Sequence, residues 1–284
     1  MGFFWHVLFL IGNWYPTILS YNLIFGKGKL LYFGPGGMVL IVGYSMVITL
    51  MATGSFFFAF VVALLFSVLT ALFFSWLSLR LEADGFGIIS IAVHLAILSV
   101  VLNWQSMTRG ALGIPSIPKV PIFQNHAHFV IITMVVGILW ALIILRIERS
   151  AFGRQLEALA EHEWHAKSLG INRVRVNTLA FLINGLGTTI VSFFWVQYLG
   201  LLHPNDYLFP LLVFYVMAIV AGGPGSVLGV TISVTLLTIL KEALRFVPLD
   251  PAVLGPIRLI LFGIILFIAV YIRRDTLFPK QRSI

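Results

Sequence analysis

HFVIITMVVGILWALIILRIERSAFGRQLEALAEHEWHAKSLGINRVR, residues 128–175, changes character once, near Arg146. Residues 128–147 are almost continuously apolar, long enough to cross a hydrocarbon core about 30 Å thick. Residues 148–175 are polar and charged, with helix formers running up to Gly170. The join is that of a membrane span to an aqueous insert, and the rest of the chain repeats the oily half.

Further spans are expected at about 4–25, 30–52, 56–79, 86–104, 176–200, 208–222, 226–246 and 253–272. The 284 residues are 60% hydrophobic and only 10% charged, with mean hydropathy +1.04. Soluble domains carry about 25% charged residues. The runs do not alternate as the strands of a β-barrel do. The fold class is therefore all-α: a polytopic transmembrane helical bundle of about 8–9 spans, some broken by Gly and Pro. The pieces near 34–37 and 222–226 can be read as breaks or re-entrant turns. The organisation is one transmembrane domain over 1–284, with the insert at about 148–175. "MGFFWHVLFLIGNWYP" lacks the basic n-region of a cleavable signal peptide and reads as a retained span. The absence of cysteine excludes disulfides and thiol chemistry.

Basic residues set the orientation. With the insert cytoplasmic, parity places thirteen Lys and Arg on that side, among them Lys27, Lys29, Arg80, Arg273, Arg274, Lys280, Arg282 and six between Arg146 and Arg175. The other side holds Arg109, Lys119, Lys241 and Arg245. This positive-inside bias predicts N-terminus out and C-terminus cytoplasmic. It also accounts for the formal charge of +8 without nucleic acid, for which no basic module is present.

All ten acidic residues fall in loops or at span ends, so the mid-membrane carboxylates that ion-coupled carriers keep are missing. His94 is the one histidine well inside a span, and a hydrogen bond to a neighbouring helix is its plainest use; Arg258, five residues into the last span, can snorkel. "GKGK" at 26–29 lacks the spacing and the Ser/Thr of a phosphate-binding P-loop, and "GGPGS" at 222–226 lacks its lysine. If solute moves uphill, the energy comes from elsewhere. His126/His128 and His162/His165 lack the further ligands of a tetrahedral metal site, so no metal is expected.

In the insert, Leu156, Leu159, Ala160 and Trp164 fall on one helical stripe, and Gly170 is placed to end the helix. Three uses compete: a helix lying on the membrane interface, a plain connector, and a helix docking in a groove of a cytoplasmic partner. Its acidic face counts against the first.

The stretch from Ser150 resembles the cytoplasmic loop of ABC importer permeases of the branched-chain amino acid (LivM/LivH) family, through Ser150, Gly153, Arg154, Ala158, Glu163, Ala166, Gly170, Ile171 and Asn172. "YNLIFGKGKLLYFGPGG" is similar to the family's early Gly-rich segment through Asn22, Leu23, Gly26, Leu30, Phe33 and Gly34, departing at Lys29, Tyr32 and Pro35. Thr108, Gly110 and Leu112–Pro115 resemble its external loop, with Arg109 replacing a glycine, and "GGPGSVLG" resembles its late glycine motif. The resemblance implies an ABC importer permease for amino acids or similar small polar solutes in a bacterial or archaeal cell (inner) membrane. It implies a coupling helix that carries Arg154, Ala158, Glu163, Ala166 and Gly170 against an ATPase. The implied partners are two ABC ATPase subunits bearing ATP and Mg, a second permease subunit (a LivH-like heterodimer partner), an extracytoplasmic solute-binding protein and membrane lipid. This chain itself would bind no cofactor and would not be an enzyme.

Paired Gly/Pro breaks are the best pointer to a transport site, and "GPGGMVLIVG" and "GGPGSVLGVTI" form such a pair. Asn22, Gly34, Gly36, Thr108, Gly222 and Gly223 are accordingly candidate pathway residues, against the plainer reading that the glycines only let helices approach. The alternative function is an autonomous channel or secondary carrier for a small neutral solute such as urea or an amide. A third is an assembly or sensory subunit that binds the ATPase without transporting.

Overall fold

The computed structural model describes residues 2–246, 257 and 260–271. The early part of the ninth expected span, Arg258 and the basic C-terminal tail lie outside the described residues. Among the described residues, eight helical segments are long and apolar enough to cross a membrane, matching the expected spans one for one through residue 246. A ninth, Ile260–Tyr271, is a shorter apolar helix in the region of the last.

The bundle is organised around α1 (Gly2–Asn22), which continues as a π-helical turn to Lys27. Every residue from Phe9 to Asn22 is buried, polar ones included, because neighbouring helices pack around it. Around α1 pack α6 (His126–Arg149), α9 (Arg173–Leu199) and α11 (Val227–Ala243), with α10 (Phe209–Gly222) beside them. Lipid tails offer helices no hydrophobic drive to associate, so close backbone approach through small residues does that work. A Cβ on Gly12 of α1 would lie 2.8 Å from the Met134 backbone of α6, and Gly137 of α6 faces Gly12 in return.

α2 (Pro35–Thr53) and α3 (Phe56–Arg80) form the second layer with α9, and α4 (Ala83–Asn103) flanks α2. Apolar side chains such as Phe57, Leu65, Ile88 and Leu139 stand exposed on α3, α4 and α6, as lipid-facing residues do. The helix of the second span begins at Pro35, five residues later than the apolar run suggests. Residues 28–34 stay non-helical because Tyr32 is drawn into an aromatic nest. Its ring stacks on Phe86 at 5.8 Å and meets Phe74 and Phe181 edge-on, while its carbonyl accepts the Tyr21 hydroxyl. The Phe33 N–H donates to Ser90 Oγ at 2.9 Å. Non-helical backbone at membrane depth persists only where protein satisfies it in this way.

Between α4 and α6 the loop carries α5 (Gln105–Thr108) and pairs Ile114 with Leu202 in an antiparallel bridge. The segments at 22–28, 78–80, 148–175 and 223–227 gather at one end of the bundle, while His6, the 105–125 loop, Tyr198 and Glu242 gather at the other.

Candidate functional site

The insert begins with a tight corner. Ser150 ends α6 and precedes α7 (Ala151–Glu161). Gly153 lies against the carbonyls of Ile147 and Glu148, leaving no room for a side chain. The expected single helix is in fact two: the backbone extends at His162, and α8 (Glu163–Ser168) follows in a new direction. The stripe divides with it. Leu156 is buried, Leu159 and Ala160 are half-buried, but Trp164 stands 84% exposed. Ala166 is buried instead. Gly170 ends the helix as expected, in the left-handed region at φ 81°, and Asn172 caps α9 by accepting the Arg175 N–H.

The candidate coupling residues separate into different settings. Arg154 is exposed and donates to the Arg149 carbonyl at 3.0 Å; Ala158 is half-buried on α7. Glu163 pairs within the chain, with Lys167 one turn on and with Arg173 at 3.0 Å, and Arg173 also donates to the Ser78 carbonyl at the foot of α3. Partial burial raises the Glu163 carboxyl, but Lys167 and Arg173 outweigh it and hold the group below its ordinary range. Trp164 and Leu169, both at least 80% exposed, are the apolar groups this turn presents outward.

The inner side of the insert is wired into the bundle. Leu156 packs beside Gly28, and Glu157 pairs with Lys27 at 3.3 Å. Glu148, at the foot of α6, accepts the Val227 N–H at 3.0 Å, so a carboxylate satisfies an otherwise orphan donor at the start of α11. Asn22, fully buried, accepts the Gly225 N–H at 2.9 Å. The insert therefore meets the turn at Lys27–Gly28, which precedes the first Gly/Pro break, and the second break directly, at one end of the bundle. Glu148 was legible only as an acid at a span end; its partner is 79 residues away.

The candidate pathway glycines sit at close approaches. A Cβ on Gly36 would lie 2.6 Å from the His94 ring, whose Nε2–H donates to the Tyr207 carbonyl at 2.9 Å. That is the plain role expected of His94. Gly34 lies against Tyr32 and Phe74. A Cβ on Gly222 would meet the Gly229 carbonyl and the Val230 Cα at 2.6 Å, and Gly223 turns the chain at φ 97°. Thr108 is buried in the opposite end, its hydroxyl within 2.7 Å of the Val101 and Trp104 carbonyls and accepting the Gly110 N–H.

A second set of polar residues escaped sequence reasoning. Asn13 and Thr17 lie one turn apart on α1, between the face carrying Trp14 toward α10 and the face carrying Pro16 toward α9. Asn184 and Thr188 repeat the spacing on α9, between Gly187 against α1 and Gly185 against Met38 of α2. Each pair thus lies between the contacts its helix makes with two neighbours, α9 and α10 for the first and α1 and α2 for the second. All four are buried and keep side-chain atoms with no hydrogen-bond partner among the described residues, as do the hydroxyls of Tyr44, Tyr207 and Tyr215. Buried polar groups normally find partners, so this seam is suited to water or a polar solute. The sequence signal was the i, i+4 spacing of neutral polar residues, which a search for ionisable groups passes over.

Membrane-length helices that enclose a polar seam, tied at one end to an aqueous insert, define a multi-pass membrane permease. The family model described as the branched-chain amino acid transport system permease component matches residues 6–270, and the chain belongs to that family. It is 25% identical over 255 residues to the high-affinity branched-chain amino acid transport system permease protein LivM of Salmonella typhimurium and 24% to that of Escherichia coli, covering 80% of this chain. The chain spans about 60% of the length of those two relatives. It is also 25% identical over 280 residues to a probable LivM of Methanocaldococcus jannaschii, covering 89% of this chain and 79% of the relative. No solved structure matches it.

Proposed function

We propose that this chain is a transmembrane subunit of an ATP-driven ABC importer for amino acids or similar small polar solutes. The observation that carries the reading is the double attachment of the insert. Its inner face reaches the turn before the first Gly/Pro break through Lys27–Glu157 and the second break through Glu148–Val227, while Trp164 and Leu169 are exposed. A partner that grips the outer face can move the breaks. Two ATPase subunits carrying ATP and Mg would do this from the cytoplasm, the side that the basic residues assign to the insert, with the N-terminus outside. A second permease would complete the path, and an extracytoplasmic solute-binding protein would deliver the solute. Hydrolysis on the partners would then rock the permeases between outward and inward access.

Within this reading Arg154, Ala158, Ala166 and Gly170 shape the docking helices. Glu163 acts as the staple that fixes α8 against α9 and α3. Asn22, Gly34, Gly36, Gly222 and Gly223 serve as the moving joints beside the path, and Thr108 holds the outer loop. The test is affinity capture of the tagged chain from its native membrane in mild detergent, beside Glu163→Arg. Recovery of an ATPase and a second permease with the wild type, and loss of the ATPase with the variant, supports the reading; a chain that purifies alone overturns it.

The polar seam favours a second reading, an autonomous carrier or channel for a small neutral solute, because it lies within one chain. Uptake of urea or an amide by liposomes containing this chain alone, without ATP, would decide for it.

A further inference from the structure

At the end of the bundle opposite the insert, a cavity of about 340 Å³ opens between α1, the end of α9, the start of α10, α11 and the Ile260–Tyr271 helix. Its walls include Trp14, Trp195, Phe214 and Phe262, with Asp206 and Lys241 beside them. The rings form a connected set: Trp14 lies 5.5 Å from Trp195 and 5.9 Å from Phe214, which is 6.5 Å from Phe262. The Trp195 Nε1–H donates to Asp206 Oδ2 at 3.4 Å, and Lys241 Nζ stands 5.6 Å over the Phe214 ring.

A mostly aromatic cavity with a few fixed polar groups is the ordinary form of a small-molecule site, and this volume is at the small end of the range. Asp206 and Lys241, a carboxylate and an ammonium that both line the cavity, narrow the ligand further. A cation would be repelled by Lys241 and an anion by Asp206. A small zwitterion meets both, with its ammonium at Asp206 and the tryptophan faces, its carboxylate at Lys241, and an apolar body against the rings. Trp14 also separates the cavity from the polar seam: Tyr215 lies 5.8 Å behind it, and Asn13 precedes it on α1.

We infer that this cavity is a binding site for a free amino acid with an apolar side chain, held as the zwitterion by Asp206 and Lys241 at the mouth of the seam. The inference rests on the amino-acid reading above and gives it a location.

The test is equilibrium binding of radiolabelled leucine to the full-length chain in phosphatidylglycerol nanodiscs, without ATP, ATPase or binding protein. Leucine should compete at least about tenfold better than leucinamide, which lacks the carboxylate, or 4-methylpentanoate, which lacks the ammonium. Lys241→Met should weaken leucine about tenfold and erase the discrimination against leucinamide; Asp206→Asn should do the same for 4-methylpentanoate. Asp84→Asn, at the far end, should change nothing. Wild-type leucine binding by both cavity variants, equal binding of the three probes, or displacement of leucine by added phosphatidylethanolamine would overturn the site. Because no ATPase takes part, loss of ATPase capture in the earlier experiment leaves this result standing, and the reverse holds too.

Discussion

The carboxylate of Glu148 accepts the backbone N–H of Val227 at 3.0 Å, joining the foot of α6 to the first residue of α11. Two spans far apart in sequence thus share one charge-assisted bond at the end of the bundle that carries the insert. In the proposed importer, this is the contact that would pass a displacement of α6 to the second Gly/Pro break.

Removing that bond should separate transport from assembly. Glu148→Ala should lower stability by about 1–2 kcal/mol, the scale of a lost helix cap, and reduce uptake in a strain lacking the wild-type chain. ATPase capture should persist. A melting curve and an uptake assay on the same preparation check both, and Glu148→Gln should recover part of the loss.

Packing at the α10–α11 turn is tested through Gly222. Gly222→Ala should cost about 1–3 kcal/mol, as overpacking does, because its Cβ would lie 2.6 Å from the Gly229 carbonyl and the Val230 Cα. Gly85→Ala, on α4 with nothing near its Cβ, should be neutral or gain a few tenths up to about 1 kcal/mol from helix propensity. Thermal unfolding in detergent distinguishes the two.

Acid should loosen the insert before the bundle. The Glu163 carboxyl, raised by partial burial but lowered further by Lys167 and Arg173, sits below its unfolded value. Its stabilising effect is therefore complete above the ordinary Glu range near about pH 4.3 and is lost as pH falls through the lower, folded value. Hydrogen exchange across residues 163–172 should stay protected at neutral pH and increase in strong acid. Glu163→Gln should show weaker protection at neutral pH and little further change in acid.

Trp164→Asp and Leu169→Asp should abolish ATPase capture while leaving the melting temperature within about 1 °C of wild type, since surface changes away from buried contacts shift stability by about 0.5 kcal/mol or less. Unimpaired capture by both would remove the outward face of α8 from the docking surface.

The spans through residue 246 and the aqueous insert were legible because length and apolarity alone define them. What failed was set by distant partners. Tyr32 delays the start of α2 because Phe74, Phe86 and Phe181 hold its ring, and none of those is local. Trp164 matched the periodicity of Leu156, but the break at His162 turned it outward. Glu163, read as a coupling position, also pairs within the chain with Arg173, ten positions on. The zwitterion cavity joins residues 14, 195, 206, 214, 241 and 262, a separation no local pattern reveals.

The enclosure of α1 carries a consequence for biogenesis. It has the lowest mean hydropathy of the eight candidate spans, 1.2, and it carries Asn13, Thr17, Ser20 and Asn22, all buried in the finished bundle. Yet α6, α9, α10 and α11, which cover it, are all synthesised later, the nearest more than a hundred residues downstream. During translation α1 must therefore wait in or beside the insertion machinery with its polar side chains uncovered. Its stable release into lipid is expected only after α9 has emerged, which makes this helix, of all the spans, the one most dependent on an insertase that can hold a nascent segment.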